Sequence, residues 1–414
     1  MKTKQVSESN HKKLSEICKI ILSGTPKTSI PEYWNGDINW ITPTDITKIN
    51  KRYIYNTERK ITKEGILNSS AKLLKKDTIV ISARGTVGKL CIVPSEMSCN
   101  QSCYALESIS ELVRPLYLFY VLKNLKNVYS QIAHGTTFDT ITMATFDEIK
   151  ITLPSLDEQD KLIPKLDMLD SKIENLQKQN KVLEQIAHSI FKSWFVDFDG
   201  VTEFDDSELG KIPKGWQVGT FVDVIEKIES GTRPKGGIDS TEKEIPSIGA
   251  ENIIGLGQYD YSKTKYITSE FFNEMKVGKI KHNDVLLYKD GASLGRKSLF
   301  RNDFPFKQCC INEHVFILRP NKKISPSFLF FWLDQDWMEE NVQNLNSNSA
   351  QPGINRSSVV SLPILIPNSI IVDSFQRLIE PLLTKFFKNL ILIRTLTITR
   401  EALLPKLMSG EIKV

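Results

Sequence analysis

The sequence predicts an α+β chain in which one unit is written twice, each copy a mixed α/β globule followed by a long helix. Three observations carry this. Short motifs recur in the same order about half a chain apart, β-patterned runs alternate with Gly, Pro and Asn turns, and each copy ends in a heptad-patterned stretch. The chain has 414 residues, of which 40% are apolar and 25% charged. At ~100–200 residues per domain this allows two to four domains and excludes disordered, collagen-like and small disulfide-scaffold chains.

The repeat is read from five echoes. SGTPK at Ser23–Lys27 returns as SGTRPK at Ser230–Lys235, and Ile38–Ile46 has a weaker echo in Ile245–Ile253. Leu73–Val93 parallels Lys279–Phe300, Asn100–Leu106 matches Asn312–Leu318, and Ile151–Leu166 parallels Ile364–Leu382. The offset drifts only from 207 to 217, so the order is kept throughout. Within the globules, Thr78–Ser82, Leu90–Val93, Val285–Tyr288 and Val315–Leu318 read as strands.

The first long helix opens on the capping box Ser155-Leu-Asp-Glu158, and Asp373-Ser-Phe-Gln376 is the expected counterpart. Beyond the first box, Leu166, Ile173, Ala187 and Trp194 take one seam position and Leu169, Leu176, Leu183 and Ile190 the other, with Asn180 as the polar exception. The second helix repeats this with Leu383, Leu390 and Leu404 beside Phe386, Ile393 and Leu407; Thr397 and Arg400 stand where Asn180 and Leu183 do. Four heptads in both copies predict an antiparallel coiled coil, a rod of roughly 60 Å at ~1.5 Å per residue with a globule at each end. Pro164 and Pro381 predict a kink or a delayed helix start. The expected domains are 1–154, a helix over 155–196, an acidic connector over 197–215, a second globule over 216–368 and a second helix over 369–414.

Signs of catalysis are sparse. Gly85-Thr-Val-Gly-Lys89 and the similar glycine pair before Arg296 hint at a phosphate loop, but Leu90 replaces the metal-binding hydroxyl such loops need. The five histidines have no metal-ligand spacing, and Cys18, Cys91, Cys99, Cys103, Cys309 and Cys310 read as reduced, buried thiols. The glycine turns instead present Arg84, Lys89, Arg296 and Lys297, which suits phosphate or base contact. Lys27, Arg233 and Lys235 lie in the SGT loops, and Thr44, Asp45, Glu251 and Asn252 occupy another repeated turn. Trp34, Trp40, Tyr53, Tyr55, Tyr259, Tyr261 and Tyr266 interleave with basic residues, a pattern shared by nucleic-acid surfaces and ordinary half-buried aromatics. The net charge of +5 says little by itself. No membrane-spanning run or secretory signal is visible, so a cytoplasmic location is expected.

Over essentially its whole length the chain resembles the specificity subunits of type I restriction–modification systems. The residues that carry this are SGTPK and SGTRPK, ISARGTVGKLCIV, LPSLDEQ, Ser189–Phe198 (SIFKSWFVDF), Leu209–Trp216 (LGKIPKGW) and Leu403–Ile412 (LLPKLMSGEI). The resemblance implies that each globule is a target recognition domain reading one half of a bipartite double-stranded DNA target. It implies that the helices form a spacer that docks two methyltransferase (modification) subunits, with Phe191, Trp194 and Phe195 as expected anchors. It further implies no cofactor in this chain: S-adenosylmethionine, ATP and Mg would come with the modification and restriction/translocase subunits. A protein-interaction scaffold without a DNA role and a phosphate-loop enzyme are the alternatives.

Overall fold

In the computed structural model, which describes residues 11–125, 140–234, 244–301, 303–346 and 353–412, the sequence echoes fall on matching elements of two similar globules. The first contains β1 (Cys18–Leu22), β2 (Trp34–Ile41), β3 (Lys60–Ile61), β4 (Ile79–Ser82), β5 (Leu90–Ile92), β6 (Ser98–Cys99) and β7 (Cys103–Ser108), then α1 (Pro115–Asn124) and the long α2 (Leu156–Phe195). The second contains β8 (Ile225–Ser230), β9 (Ile245–Ile248), β10 (Lys265–Ile267), β11 (Asp284–Tyr288), β12 (Lys297–Phe300), β13 (Cys310–Ile311) and β14 (Val315–Pro320), then α3 (Pro326–Leu333) and α4 (Ser369–Met408).

Strand order is the same in both. The four-stranded sheets run β1-β7-β4-β5 and β8-β14-β11-β12, and the three-stranded sheets run β3-β2-β6 and β10-β9-β13. Even the parallel strand pairing recurs, Trp40 against Ser98 in the first and Ser247 against Cys310 in the second. The central strands β4 and β11 carry unbroken apolar runs because both of their faces are covered. Ile79 and Ile81 enter one apolar cluster while Val80 enters another. Val285 and Leu287 likewise face away from Leu286. Pro115 and Pro326 start α1 and α3, where the missing N–H costs nothing, and Ser325 Oγ accepts the Phe328 N–H at 3.1 Å to cap α3.

The chain forms two compact units, Met1–Asn175 with Thr395–Val414, and Leu176–Arg394. This partition cuts through both long helices, whereas the sequence boundaries treat each helix as a domain of its own. The first box forms as expected: Ser155 N–H donates to Glu158 Oε2 at 3.0 Å and Glu158 N–H to Ser155 Oγ at 3.3 Å. The second does not. α4 starts at Ser369, and Asn368 Oδ1 accepts the Ile371 N–H at 3.0 Å, so Asp373 lies inside the helix. Neither proline delays its helix, since α2 and α4 begin ahead of Pro164 and Pro381. Burial of Leu162 and Leu166 around the one, and of Ile379 and Leu383 around the other, offsets the lost hydrogen bond.

The heptad seam is buried as predicted at Leu166, Ile173, Leu176, Ala187, Leu383, Phe386, Leu404 and Leu407. In the second unit the helices run antiparallel, with Asn180 beside Asn389 and Phe191 beside Phe375. Asn180 Nδ2 donates to the Phe386 carbonyl at 3.1 Å, and Asn389 Nδ2 donates to Asn180 Oδ1 at 2.9 Å. The polar exception in the seam therefore has a partner from the other helix. Asn389→Leu should leave Asn180 Oδ1 without its donor and cost ~1–3 kcal/mol in urea unfolding. The double change Asn180→Leu with Asn389→Leu should regain most of that stability, while relaxing the register the pair enforces.

Candidate nucleic-acid interface

The two glycine turns are β-hairpin loops. Gly88 N–H donates to the Ser82 carbonyl and Ser82 N–H to the Lys89 carbonyl, both at 2.9 Å, closing the loop between β4 and β5. Between β11 and β12, Gly295 N–H donates to the Tyr288 carbonyl at 3.0 Å and Tyr288 N–H to the Arg296 carbonyl at 2.7 Å. Gly85, Gly88, Gly291 and Gly295 all have φ between 73° and 89°, which explains the glycines. A phosphate loop joins a strand to a helix, and these join antiparallel strands. Arg84 and Arg296 are exposed on the loops, whereas Lys89 is half-buried.

The SGT loops owe their glycines to close packing. A Cβ on Gly24 would lie 1.9 Å from Ser70 Oγ, and one on Gly231 would lie 2.0 Å from the Ile311 carbonyl oxygen. Lys27 and Thr44 are exposed, and so is Arg233, whose Nε lies 3.0 Å from Glu313. Lys235 falls outside the described residues, as does His134.

Several expected contact residues are structural. Asp45 is buried, accepts from the Thr42 and Glu58 backbone N–H groups at 2.9 Å, and so fixes its turn. Asn252 is fully buried, with Oδ1 accepting the Gly249 N–H at 2.9 Å and Nδ2 donating to the Asp260 carbonyl at 3.1 Å. Lys297 sits in β12 with Nζ 2.7 Å from Glu339 and 3.3 Å from Asp334, so its charge is satisfied within the globule. Glu251 pairs with Lys265 at 2.8 Å; partial burial opposes its ionisation, yet that hydrogen bond and charge hold the carboxyl below its ordinary range.

The expected partner anchors divide in the same way. Phe191 and Phe195 are 0% and 2% exposed and pack on Phe328 and Phe375, which makes them core residues. Only Trp194 is part-exposed, with its ring 6.3 Å from that of Phe375. The interleaved aromatics are also largely packed: Trp34 and Trp40 meet edge to face at 5.2 Å with Arg59 over Trp34, and Tyr261 lies under Arg394 at 4.1 Å. Tyr55 is exposed.

The structure adds residues that charge alone did not single out. Asn100 Oδ1 accepts the Ser102 N–H at 3.0 Å, and Asn312 Oδ1 accepts the His314 N–H at 3.0 Å. The same turn thus displays Gln101 and Ser102 in one globule, Glu313 and His314 in the other. Around the second, Arg233, Glu251, Tyr288, Asp290 and His314 line a cleft of about 380 Å³, with His314 Nδ1 2.8 Å from Asp290 Oδ2. The fourth sequence echo marked this position; its chemistry emerged only when the loops were brought together. All six cysteines are free and buried. Among the described residues no group of three or more His, Cys, Asp or Glu is placed to hold a metal, and no helix is long and apolar enough to cross a membrane.

Comparison with known proteins accounts for the duplicated architecture. Residues 7–185 and 213–401 each match the family described as "Type I restriction modification DNA specificity domain". The chain belongs to that family. It is 31% identical to the type I restriction enzyme MjaIX specificity subunit of Methanocaldococcus jannaschii, over 97% of this chain and 93% of that one. It is 26% identical to the HindI specificity subunit of Haemophilus influenzae, over 82% of this chain and 88% of that one. The crystal structure of a type I restriction–modification S subunit from M. genitalium shares the fold, with a TM-score of 0.60, 15% identity and 97% of each chain covered. The chain is therefore the sequence-specific DNA-recognition subunit of a type I restriction–modification enzyme, a non-catalytic role.

Proposed function

We propose that each globule reads one half of a bipartite duplex target, and that the helix pair docks two methyltransferase subunits, to which restriction/translocase subunits add. Those partners would bring S-adenosylmethionine, ATP and Mg in the cytoplasm, a compartment that the six unpaired cysteines suit. The observation that carries this reading is that two globules of identical strand order present different side chains at equivalent loop positions. Two similar readers with different contact chemistry suit two unlike half-sites. Arg84 and Lys89 serve the first half-site and Arg296 and Arg233 the second, with Lys27 and Thr44 as further contacts. Trp194 is the remaining aromatic anchor for a modification subunit.

The test is a pair of single variants in the assembled methyltransferase. Arg84→Ala should weaken recognition of one half-site and Arg296→Ala of the other. A base contact costs ~1–3 kcal/mol at one position, and a phosphate contact weakens all sequences evenly. Binding is read on duplexes with one half-site scrambled at a time. If both variants weakened both half-sites alike, the one-globule-per-half-site reading would be wrong.

A further inference from the structure

A charged cluster lies beside the first glycine turn and apart from the SGT loops, entirely within the first unit. A cleft of about 780 Å³ is lined there by Lys51, Arg52, Lys89, Lys123, Asp170 and Arg400. Glu174 and Glu401 also border it, so five basic side chains face three acidic ones. Asp167, which holds Arg52 from outside the cleft, still leaves one positive charge in excess.

The arrangement shows where that excess sits. Arg52 is buried and fully engaged: Nε lies 3.0 Å from Glu174, Nη2 donates to Ser171 Oγ at 2.9 Å, and Nη1 meets Asp167. Arg400 Nη1 lies 2.5 Å from Asp170 and Nη2 3.4 Å from Glu401, but its Nε is buried with no hydrogen-bond partner. Lys123 Nζ lies 3.5 Å from both Asp170 oxygens, at the limit of a hydrogen bond. One buried carboxylate thus serves both Lys123 and Arg400. Lys51 and Lys89 border the same cleft, and neither has an ion pair among the described residues.

We infer that this cleft binds a phosphate group, with Lys123 and Arg400 as its inner donors and Lys89 and Lys51 as its outer ones. A phosphate supplies what the cluster lacks, negative charge against the one-charge excess and several acceptor oxygens for the guanidinium and ammonium donors. The ionisation of Lys123 agrees. Burial, with the like charges of Arg400 and Arg52, pushes its ammonium down to about 8 in spite of Asp170. An anion in the cleft therefore gains by keeping Lys123 protonated, and its affinity is linked to that proton.

The phosphate has two possible sources, a free phosphate or phosphomonoester, or the backbone of duplex DNA. The full chain is titrated with sodium sulfate and with inorganic phosphate, against sodium chloride at equal ionic strength, while the unfolding temperature is followed. Sulfate keeps its charge between pH 6 and 9, so its pH dependence reports on the protein alone. The expected result is a saturable rise with sulfate at pH 7 whose midpoint weakens as pH climbs through about 8. Asp170 and Glu174 from α2, Arg400 and Glu401 from α4, Lys51, Arg52 and Lys89 from the globule and Tyr120 on Lys123's own helix are the charged or titratable groups around that lysine.

Arg400→Gln should weaken the midpoint about tenfold, and Lys123→Met should flatten its pH dependence. Lys89→Gln leaves the buried ion pairs intact, so its several-fold weakening is readable even if the inner variants fold poorly. A rise that never saturates and is equal in wild type and Lys89→Gln is general salting-out, and would overturn the site. A duplex oligonucleotide then separates the sources. A backbone phosphate predicts that Arg400→Gln or Lys89→Gln reduces the salt slope of DNA binding by about one, and that phosphate competes. A free phosphate predicts DNA binding unchanged in Arg400→Gln, the variant that decides between the sources because Lys89 also serves the first half-site. The sulfate titration contains no DNA, so its outcome stands whatever becomes of the half-site reading.

Discussion

Gly231→Ala is expected to unfold the second globule and abolish recognition of its half-site. The added Cβ would lie 2.0 Å from the Ile311 carbonyl oxygen, 2.4 Å from its carbon and 2.5 Å from the Asn312 carbonyl oxygen. All three are main-chain atoms. Ile311 belongs to β13 and pairs with Ile248 of β9, so the strand cannot retreat without breaking the three-stranded sheet. Overpacking a tight site costs ~1–3 kcal/mol where side chains can yield, and more where only backbone is met. Gly24→Ala provides the contrast. Its Cβ would meet Ser70 Oγ at 1.9 Å and Ser70 Cβ at 2.8 Å, with main chain no nearer than 3.1 Å. A serine can turn its hydroxyl aside, so Gly24→Ala should cost less. Denaturant unfolding ranks the two, and equal losses would show that the SGT glycines serve some need other than close approach. In DNA binding, Gly231→Ala should lose one half-site only.

The contrast between those glycines also shows what kind of information a single sequence carries. SGT repeats in both halves, and the repeat correctly placed the loops on matching elements of two globules with the same strand order. Order and spacing survive in sequence because the topology is duplicated. Heptads survived for a similar reason, since a seam must recur every seven residues to stay covered. Partnerships across the fold were far less visible. Asn180 looked like an isolated exception because Asn389 lies off the heptad-matched position. Lys297 follows a basic neighbour on a glycine turn and looks identical to it in type. Arg296 nevertheless stays on the exposed loop, while Lys297 opens β12 and is buried against Glu339 and Asp334. Phe191 and Phe195 follow Ala187 at four-residue spacing, which continues the buried stripe along α2. Their aromatic character suggested anchors, and their periodicity was the better guide. The second capping box was misplaced because a weaker Asp-Gln pair resembled the first, while Asn368 caps the helix one residue before Ser369.

Asp170→Ala should be the most damaging single change in the first unit, and its rescue should depend on pH. Asp170 is 3% exposed and is the buried carboxylate between Lys123 and Arg400. Burial opposes its ionisation, but the charges of Lys123 and Arg400 more than offset that and hold it below the usual aspartate range. Its stabilising contribution is therefore present above an ordinary aspartate pKa of 3.8 and disappears only as pH falls through the lower folded value. Removing the carboxylate leaves two part-buried cations facing each other, so the loss should approach the ~3–5 kcal/mol of a fully buried pair. Lys123→Met in the same chain should restore part of this, because it removes one of the orphaned charges. Lys123 supplies the pH signature. Its ammonium titrates at about 8 in the folded protein and near the ordinary 10.5 when unfolded. Between those values the unfolded chain binds more protons, so raising the pH favours the folded state. Wild type should thus gain stability relative to Lys123→Met as pH rises from 8 towards 10. Using the difference between the two proteins cancels the buried tyrosines, whose raised values push stability the other way above pH 10. In the absence of Asp170 the folded pKa of Lys123 should fall further, so Asp170→Ala should begin to recover at a lower pH than wild type begins to gain. Unfolding temperatures of the four proteins from pH 6 to 10 decide the matter. Parallel curves would mean that Lys123 stays charged in the fold throughout this range and that Asp170 does not govern its ionisation.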